Sequence, residues 1–383
     1  MLNSQPATRI KPKGVLSLDD TLLEHVGKDF DKIAYLWDHT KRCYVWAHNL
    51  VNLHYSDDVT DYPINFRLWE PAETDDLERG LKDAGVNIRE GKYVLKESAP
   101  KKWRSYLVRL WARHQKKKPE LQKLYQTKFR IAQDMLTQFF AEQEQRDLNL
   151  AVTFDNWYTK PPFLRFLRKT LRVPYVGTLA ADDKILLAAG EKRLDEFALQ
   201  LKEEHQEKVK PVFRKITIPY KGKKETYYSY CTNHNISNFG KHRLVINHRE
   251  ADLSDPGAFF ISNKLNWSSV GITRVRRHRW PVEVYHEEGK DEGLDQYQVR
   301  SFEAINKHIA LVAVTYSVLK AAQHDKALIR KLQRNVKSTI NDGSLGYWRR
   351  NTQKQALWAL ATFISAGLAQ GQPLSKVMAP LLM

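Results

Sequence analysis

Alternating apolar and polar positions dominate the first part of the chain. From Gly14 the sequence contains three segments rich in β-branched and aromatic residues, with short polar turns between them: GVLSLDDTLL, IAYLWDHT and RCYVWAHNLVNLHYS. Such segments are typical of β-strands, and connections this short join antiparallel neighbours. The sequence therefore predicts an antiparallel opening of three strands.

A helix and a strand–helix–strand unit are predicted after a Lys- and Arg-rich stretch. In TKFRIAQDMLTQFFAEQEQ, apolar residues recur at intervals of three and four, as in an amphipathic helix. The run LNLAVTFD then predicts a buried strand, PPFLRFLRKTL a helix that opens on prolines, and VPYVGTLAA a second buried strand. Nearly continuous apolar strands joined through a helix are typical of parallel pairing.

The segment 206–267 has a different character. Its short apolar and aromatic runs are separated by the turn clusters YKGK, NISNFGK and SDPG, which predicts a small β-rich insertion. From Ser268 onward the pattern is helical, and FEAINKHIALVAVTYSVLKAA is the clearest helix. The order of elements therefore predicts an α/β protein with C-terminal helices.

Positive charge is concentrated in two segments. The 383 residues carry a formal net charge of +18. Residues 101–130 hold eleven Lys or Arg against Glu120 alone, and residues 320–354 hold nine against two acidic residues. Concentrated positive charge favours a polyanionic partner, with nucleic acid as the first candidate. The alternative is that both segments form ordinary solvated helix faces.

Cysteine content and apolar run lengths narrow the class of protein further. Cys43 and Cys231 are the two cysteines, too few for a disulfide scaffold or a cysteine-based zinc site. The N-terminal segment lacks the apolar run of a signal peptide, and no stretch approaches the ~18–20 apolar residues that span a bilayer. We expect a soluble, intracellular protein.

Three acidic positions lie at the ends of predicted elements, where neighbouring apolar residues would hold them rigidly. Asp20 closes the first strand, Asp155 closes LAVTFD, and Glu283 begins a helix that Pro281 can open. Asp19 is the rival of Asp20, since alternation along VLSLDD places the two on opposite sheet faces. If folding joins three such carboxylates, their repulsion requires a cation, and oxygen ligands suit Mg²⁺ or Mn²⁺.

The segment around Glu283 also contains cations at helical spacing. At ~100° per residue, Arg279, Glu283 and Lys290 fall on one helix face within about 40°. Such a strip could place a metal ligand beside two groups that bind phosphate. The alternative is a surface helix with ordinary ion pairs. His278 and His286 lie nearby, and we expect them on the solvated surface.

These residues resemble a known family. Arg279, Glu283 and Lys290, followed by GLDQYQVR, are similar to the Tyr-Arg-Glu-Lys signature of DDE transposases of the insertion-sequence-four superfamily. DDT at Asp20 and TFDNWY at Asp155 resemble the family's first two aspartates, and this resemblance is why we prefer Asp20 over Asp19. The chain differs at Arg276, where the family has tyrosine, and in the 19 residues before Asp20, where the family usually carries a helical DNA-binding domain. Either the sequence is a truncated or misannotated member, or the basic segment 101–130 and the C-terminal helices recognise the DNA ends.

The resemblance implies a fold and its division. The fold expected is an RNase H-like core with a β-strand insertion between the second Asp and the Glu. We predict residues 1–205 as the first part of the core, 206–267 as the insertion, 268–325 as its completion and 326–383 as a C-terminal helical region.

The resemblance also implies an activity. Two Mg²⁺ or Mn²⁺ ions would be held by Asp20, Asp155 and Glu283, with Arg279 and Lys290 on DNA phosphates and with Arg276 at the DNA. Trp267 would stack on an extruded base, or else lie in the core of the insertion.

The function expected from this resemblance is a transposase that cleaves the ends of a mobile element and joins them to target DNA. The expected partners are double-stranded DNA and a second copy of the chain in the DNA complex, with no membrane. The expected location is the bacterial cytoplasm, at the nucleoid. A nuclease without joining activity and an inactive DNA-binding remnant of a mobile element are the alternatives.

Overall fold

Four antiparallel strands open the fold. The structure is a computed structural model that describes residues 2, 5–143, 148–207, 211–324 and 345–379. The first four strands are β1 (Val15–Glu24), β2 (Ala34–Asp38), β3 (Cys43–Ser56) and β4 (Asp61–Trp69). β3 pairs with β1 on one edge and with β2 and β4 on the other. The three predicted strands are confirmed, and β4 is an addition.

The parallel centre of the sheet also follows the prediction. β5 (Ala151–Phe154) lies beside β1, and β6 (Tyr175–Leu179) lies beside β5, both in parallel register. Between β5 and β6 the chain forms helix α5 (Pro161–Arg165), which continues as a π-helical turn through Leu171. β5 is buried throughout, as its apolar sequence requires.

Six further strands extend this sheet instead of forming a separate layer. They are β7 (Lys184–Leu187), β8 (Gly190–Arg193), β9 (Arg214–Tyr220), β10 (Lys223–Ile236), β11 (Gly240–His248) and β12 (Ala258–Ser262). The strand order is β2-β3-β1-β5-β6-β12-β11-β10-β7-β8, with β9 beside β10. β12 pairs with β6, so the β-rich segment 206–267 is continuous with the central sheet.

Two groups of helices cover the sheet. On the face of Leu16 and Leu18 lies a large core to which α4 (Lys128–Glu142) and α6 (Leu194–Glu207) contribute. Two smaller clusters join β1 to α7 (Ser269–Arg277) and α9 (Phe302–Ala322), and α8 (Trp280–Asp291) also contacts β1. Because successive strand residues point to opposite faces, Val15 and Leu23 pack on this second group while Leu16 and Leu18 pack on the first.

A helical unit lies between β4 and α4 and contains most of the basic segment 101–130. It comprises α1 (Thr74–Asp83), α2 (Val94–Ser98) and α3 (Pro100–His114), and it has its own hydrophobic cluster. Trp103, Leu107, Leu110 and Trp111 of α3 are buried in that cluster. The tryptophans of this segment are therefore core residues, and the basic side chains of α3 occupy its outer face.

The C-terminal part is helical where the structure describes it. α10 (Leu345–Ala369) and α11 (Leu374–Met378) follow. Residues 325–344, and with them most of the second basic segment, lie outside the described residues. Within the described ranges, none of the helices has both the length and the apolar character needed to cross a bilayer.

Candidate active site

The sheet register brings acidic residues of β1 and β5 together. The expectation that Asp20 closes the first strand is wrong, because β1 stays paired with β3 through Asp20 as far as Glu24. The last parallel pair is Leu18 with Phe154, and each strand continues directly into aspartate, Asp19 in β1 and Asp155 after β5. Asp19, Asp20 and Asp155 all line one cavity of ≈530 Å³. Lys128 of α4 and Lys290 of α8 line the same cavity. Two distant stretches of sequence therefore contribute carboxylates to one cavity.

Arg279 connects Glu283 to this group. Arg279 immediately precedes α8, and its Nη1 donates a hydrogen bond of 2.6 Å to Asp19 Oδ2. Its Nη2 donates to Glu283 Oε1 in the first turn of the helix. Arg279 is 8% exposed, so one buried guanidinium holds both carboxylates. Such a two-pronged arrangement uses the fixed fork geometry of arginine.

Asp19 and Asp20 point to opposite faces of β1 and have different partners. Asp20 accepts hydrogen bonds from Lys128 Nζ at 2.8 Å and from Asn49 Nδ2 at 2.7 Å. Tyr158 OH donates to its other oxygen at 3.1 Å. Asp19, and not Asp20, is therefore the aspartate that Arg279 joins to Glu283.

Burial disfavours the negative charge of both Asp19 and Asp155. Burial raises the pKa of Asp19 from 3.8 to about 7, although the Arg279 charge lowers it; the Asp155 charge raises it further. Burial also raises the pKa of Asp155, against the backbone N–H of Tyr158 and the charge of Arg279. Both carboxylates would gain from an additional cation.

Asp155 is held in place by the turn that follows β5. Its Oδ1 accepts the backbone N–H groups of Trp157 at 3.1 Å and Tyr158 at 3.2 Å. Its carbonyl oxygen accepts the hydroxyl of Thr159 at 2.9 Å. Oδ2 accepts no hydrogen bond from the described residues and is available to a ligand in the cavity. One oxygen orients the side chain, and the other is free for chemistry.

Arg276 lies in a second cavity, and Glu283 lines this cavity rather than the one that Asp19 and Asp155 line. This cavity of ≈520 Å³ is lined by Glu283, Arg276, Arg277, Arg279 and Trp280, among others. Burial lowers the pKa of Arg276 to about 9, and its guanidinium lies 5.4 Å from the ring centre of Phe260. Its buried Nε has no hydrogen-bond partner among the described residues. A buried donor without a partner favours an anionic ligand here.

Trp267 lies away from both cavities. It packs beside Cys231 against the cluster formed by β1, β5, β6, β11, β12 and α7. Its backbone oxygen accepts a hydrogen bond from Arg243 Nε at 3.1 Å. This is the packing of the core alternative, and base stacking by Trp267 stays a prediction.

The expectation that His278 and His286 are solvated is wrong. His278 Nδ1 is 2.9 Å from Ser56 Oγ, and His286 Nε2 is 2.9 Å from Asn52 Nδ2. Burial lowers the pKa of His278 to about 4 and that of His286 to about 3. Both rings are neutral at physiological pH and connect the α8 region to β3.

Sequence reasoning missed the partners of Asp20. Lys128 stands at the first position of α4, 108 positions from Asp20, and Asn49 comes from the neighbouring strand β3. The β1–β3 pairing could have suggested Asn49, because antiparallel alternation places it on the face of Asp20. No local signal indicates Lys128, which is one of eleven cations in its segment.

The donor set suits a hard divalent cation. Asp19, Asp155 and Glu283 offer only carboxylate oxygens, which Mg²⁺ and Mn²⁺ prefer, and the raised pKa values of the two aspartates show that burial disfavours their negative charge. Among the described residues, no three His, Cys, Asp or Glu side chains are already close enough to share an ion. Arg279 now neutralises Asp19 and Glu283 in this arrangement.

The comparison with protein families decides the class. The sequence model of a family described as DDE superfamily endonuclease matches residues 1–192, half of the chain. The chain belongs to this DDE endonuclease family. It is therefore an enzyme that acts on DNA, from a superfamily whose members generally use divalent metals. No curated protein matches the chain. The family match includes Asp19, Asp20 and Asp155 and ends before Glu283.

Proposed function

We propose that this DDE enzyme is a transposase that cleaves DNA at the ends of a mobile element and joins those ends to target DNA. The observation that supports it is the junction of Asp19, Arg279 and Glu283 beside Asp155, because it unites an N-terminal strand with a helix more than 250 positions later. The mixed α/β sheet is consistent with an RNase H-like core. We propose residues 206–267 as the insertion in that core.

We further propose that Asp19 takes the place predicted for Asp20 as the first carboxylate. Asp19 shares its sheet face with Arg279 and is the aspartate joined to Glu283 through it. Both oxygens of Asp20 already accept hydrogen bonds from Lys128, Asn49 and Tyr158. In this assignment Asp20 is a positioning residue that holds Lys128 at the cavity wall.

The roles of the side chains follow from their positions. Asp19, Asp155 and Glu283 would hold two Mg²⁺ or Mn²⁺ ions, which when bound supply an activated oxygen nucleophile and stabilise the leaving oxygen. Lys290 and Lys128 present their ammonium groups to the same cavity, where they can bind the phosphates that flank the scissile bond. When DNA binds, Arg279 can exchange its carboxylate partners for a DNA phosphate, because a guanidinium forms paired hydrogen bonds with either anion.

The oligomeric state, the cellular location and the role of Arg276 belong to the same proposal. Transposition requires two DNA ends in one complex, so we propose a homodimer on DNA, in the bacterial cytoplasm at the nucleoid. Arg276 would bind DNA from the second cavity, where its unpartnered Nε offers a donor to a phosphate.

A strand-transfer assay tests the activity. A precut end duplex and a supercoiled target plasmid are incubated with the full chain and Mg²⁺. We expect joined products, and we expect Asp155→Asn to reduce them at least a hundredfold while leaving DNA binding in place. Nicked DNA without joined product would make the protein a nuclease only. If the protein binds DNA but produces neither nicked nor joined DNA, it is an inactive DNA-binding remnant of a mobile element.

The same assay separates the two neighbouring aspartates. We expect Asp19→Asn to remove activity as fully as Asp155→Asn does, since each removes a cation ligand. Asp20→Asn keeps one acceptor oxygen, which can face Asn49 and Lys128, and its amide N–H can donate to the Tyr158 hydroxyl. The variant loses the charge opposite Lys128, so we expect a reduction of about tenfold or less. If Asp20→Asn reduces activity more than Asp19→Asn does, Asp20 is the first carboxylate and Asp19 is not.

A further inference from the structure

The hairpin formed by β2 and β3 carries a group of exposed aromatic rings. Tyr35 is paired with Trp46 and Trp37 with Tyr44, so the four side chains share one face of the hairpin. Ring centres are 5.3 Å apart for Tyr35 and Tyr44, 5.2 Å for Tyr35 and Trp46, and 5.1 Å for Trp37 and Tyr44. Tyr35, Trp37 and Tyr44 are 49%, 42% and 48% exposed. A contiguous exposed aromatic surface of this kind marks a binding site.

A strip of unpaired cations on α3 adjoins these rings. Lys101, Lys102, Ser105 and Arg109 lie on one side of the helix and, with Lys92, line a shallow cavity of ≈390 Å³ that contains no carboxylate. Lys92, Lys101, Lys102 and Arg109 make no ion pair with any described residue. Lys101 Nζ lies 4.9 Å from the ring centre of Tyr44, which joins the strip to the aromatic group. The excess of positive charge favours an anionic occupant.

The aromatic group also borders the carboxylate cavity. Leu36, Trp37 and Asp38 of β2 line that cavity together with Asp19 and Asp155. Trp37 contacts Tyr44, and Tyr44 contacts Lys101. One surface therefore runs from the candidate active site over the hairpin to the basic face of α3.

We propose that this surface, defined by Tyr35, Trp37, Tyr44 and Lys101 and continued by Arg109, binds an unpaired strand of the DNA substrate. The identity of the ligand rests on the proposed function, which places DNA at the adjoining cavity. Exposed rings bind bases by stacking, and the bases of a duplex have no free faces along its length. The cations of α3 then bind the phosphates of the same strand. The enzyme would hold one strand of a locally opened end as it leads away from the cut.

Binding of a fluorescein-labelled dT₁₂ oligonucleotide tests the proposal, with the full chain in EDTA so that no cleavage occurs. Stacking on an aromatic ring is worth about 5- to 150-fold in affinity per base. We expect Tyr44→Ala to weaken dT₁₂ binding by that factor, and we expect Tyr44→Phe, which keeps the ring, to bind within twofold of the unmodified protein. Affinity for a blunt 24-base-pair duplex should change less than twofold in either variant. Equal dT₁₂ affinity in all three proteins would overturn the proposal.

A second measurement uses the unmodified protein, so it does not depend on the folding of a variant. Photocrosslinking with an oligonucleotide that contains 5-bromodeoxyuridine should place crosslinks in residues 34–47. Crosslinks confined to other peptides would overturn the proposal. A Tyr44→Ala variant that loses self-association but binds dT₁₂ unchanged would also overturn it, because the surface would then bind a protein partner. If dT₁₂ binds through Tyr44 and no cleavage or joining occurs, this proposal stands and the proposed function fails.

Discussion

At the scale of single residues, the choice between Asp19 and Asp20 shows the limit of the sequence. Alternation along a strand places the two neighbours on opposite faces, but it does not tell which face meets α8. That depends on the packing of Arg279 against β1, a contact between residues 260 positions apart. The positions of Asp155 after a buried strand and of Glu283 in the first turn of a helix were predictable from the apolar residues around them.

The raised pKa of Asp19 leads to a prediction on stability. Between pH 4 and 7 the folded protein keeps the Asp19 proton while the unfolded chain has lost it, so this group's contribution to stability falls as pH rises through that window. An asparagine side chain at the same position does not ionise. We therefore compare the free energy of unfolding of Asp19→Asn with that of the unmodified protein, without metal. We expect the difference between the two to shift in favour of Asp19→Asn by about 2 to 3 kcal/mol between pH 5 and 8, since one pH unit corresponds to ~1.4 kcal/mol.

Urea unfolding at both pH values measures this difference. Asp134→Asn serves as a control, because Asp134 lies on α4 and pairs with Arg130. A difference between Asp19→Asn and the unmodified protein that stays constant with pH would contradict the account.

At the scale of elements, strands were predicted better than helices. β1 to β3, β5 and β6 were found because β-branched and apolar residues are frequent there and turns are short. Helices α1 and α2 were missed, and a helix in the segment of α3 was considered only as an alternative. The apolar positions of α3 stand among many lysines and arginines, and charge was the more visible feature. The core positions Trp103, Leu107, Leu110 and Trp111 do follow helical spacing.

A matched pair of variants in α3 tests whether the helical unit presents the basic face. Trp111 is 2% exposed, and its Nε1 donates to Leu121 O at 2.7 Å. We expect Trp111→Ala to destabilise the protein or the unit by about 3–5 kcal/mol. Arg113 of the same helix is exposed, so Arg113→Ala should change stability by less than about 0.5 kcal/mol and still weaken DNA binding.

Urea denaturation and fluorescence anisotropy with duplex DNA measure the two effects. If Trp111→Ala leaves the free energy of unfolding unchanged, the helical unit lacks the core that the structure shows.

At the scale of the whole molecule, the continuity of the sheet was the least predictable feature. The sequence indicates where the strands of residues 206–267 begin and end, but the pairing of β12 with β6 depends on tertiary contacts. Charge was more informative at this scale, because a net +18 with concentrated cations agrees with an enzyme that acts on DNA. The division into four domains stays a prediction.

The charge distribution predicts a steep dependence of DNA binding on salt. If six or more phosphates are neutralised, affinity for duplex DNA should fall on the order of 10³-fold or more between 50 and 200 mM NaCl. Anisotropy titrations at four salt concentrations give the slope of log affinity against log salt. A slope near zero would show that the basic surfaces do not contact the DNA backbone.

The central claim is that Asp19, Asp155 and Glu283, which come from three distant parts of the chain, together form one divalent-cation site. Calorimetric titration with Mn²⁺ at pH 8, without DNA, tests it most directly on the full chain. We expect Asp155→Asn and Glu283→Gln each to weaken Mn²⁺ binding at least tenfold, and Glu287→Gln, an exposed neighbour on α8, to leave it unchanged. Equal Mn²⁺ affinity in Glu283→Gln and Glu287→Gln would contradict the claim, because Glu283 would then not belong to the site.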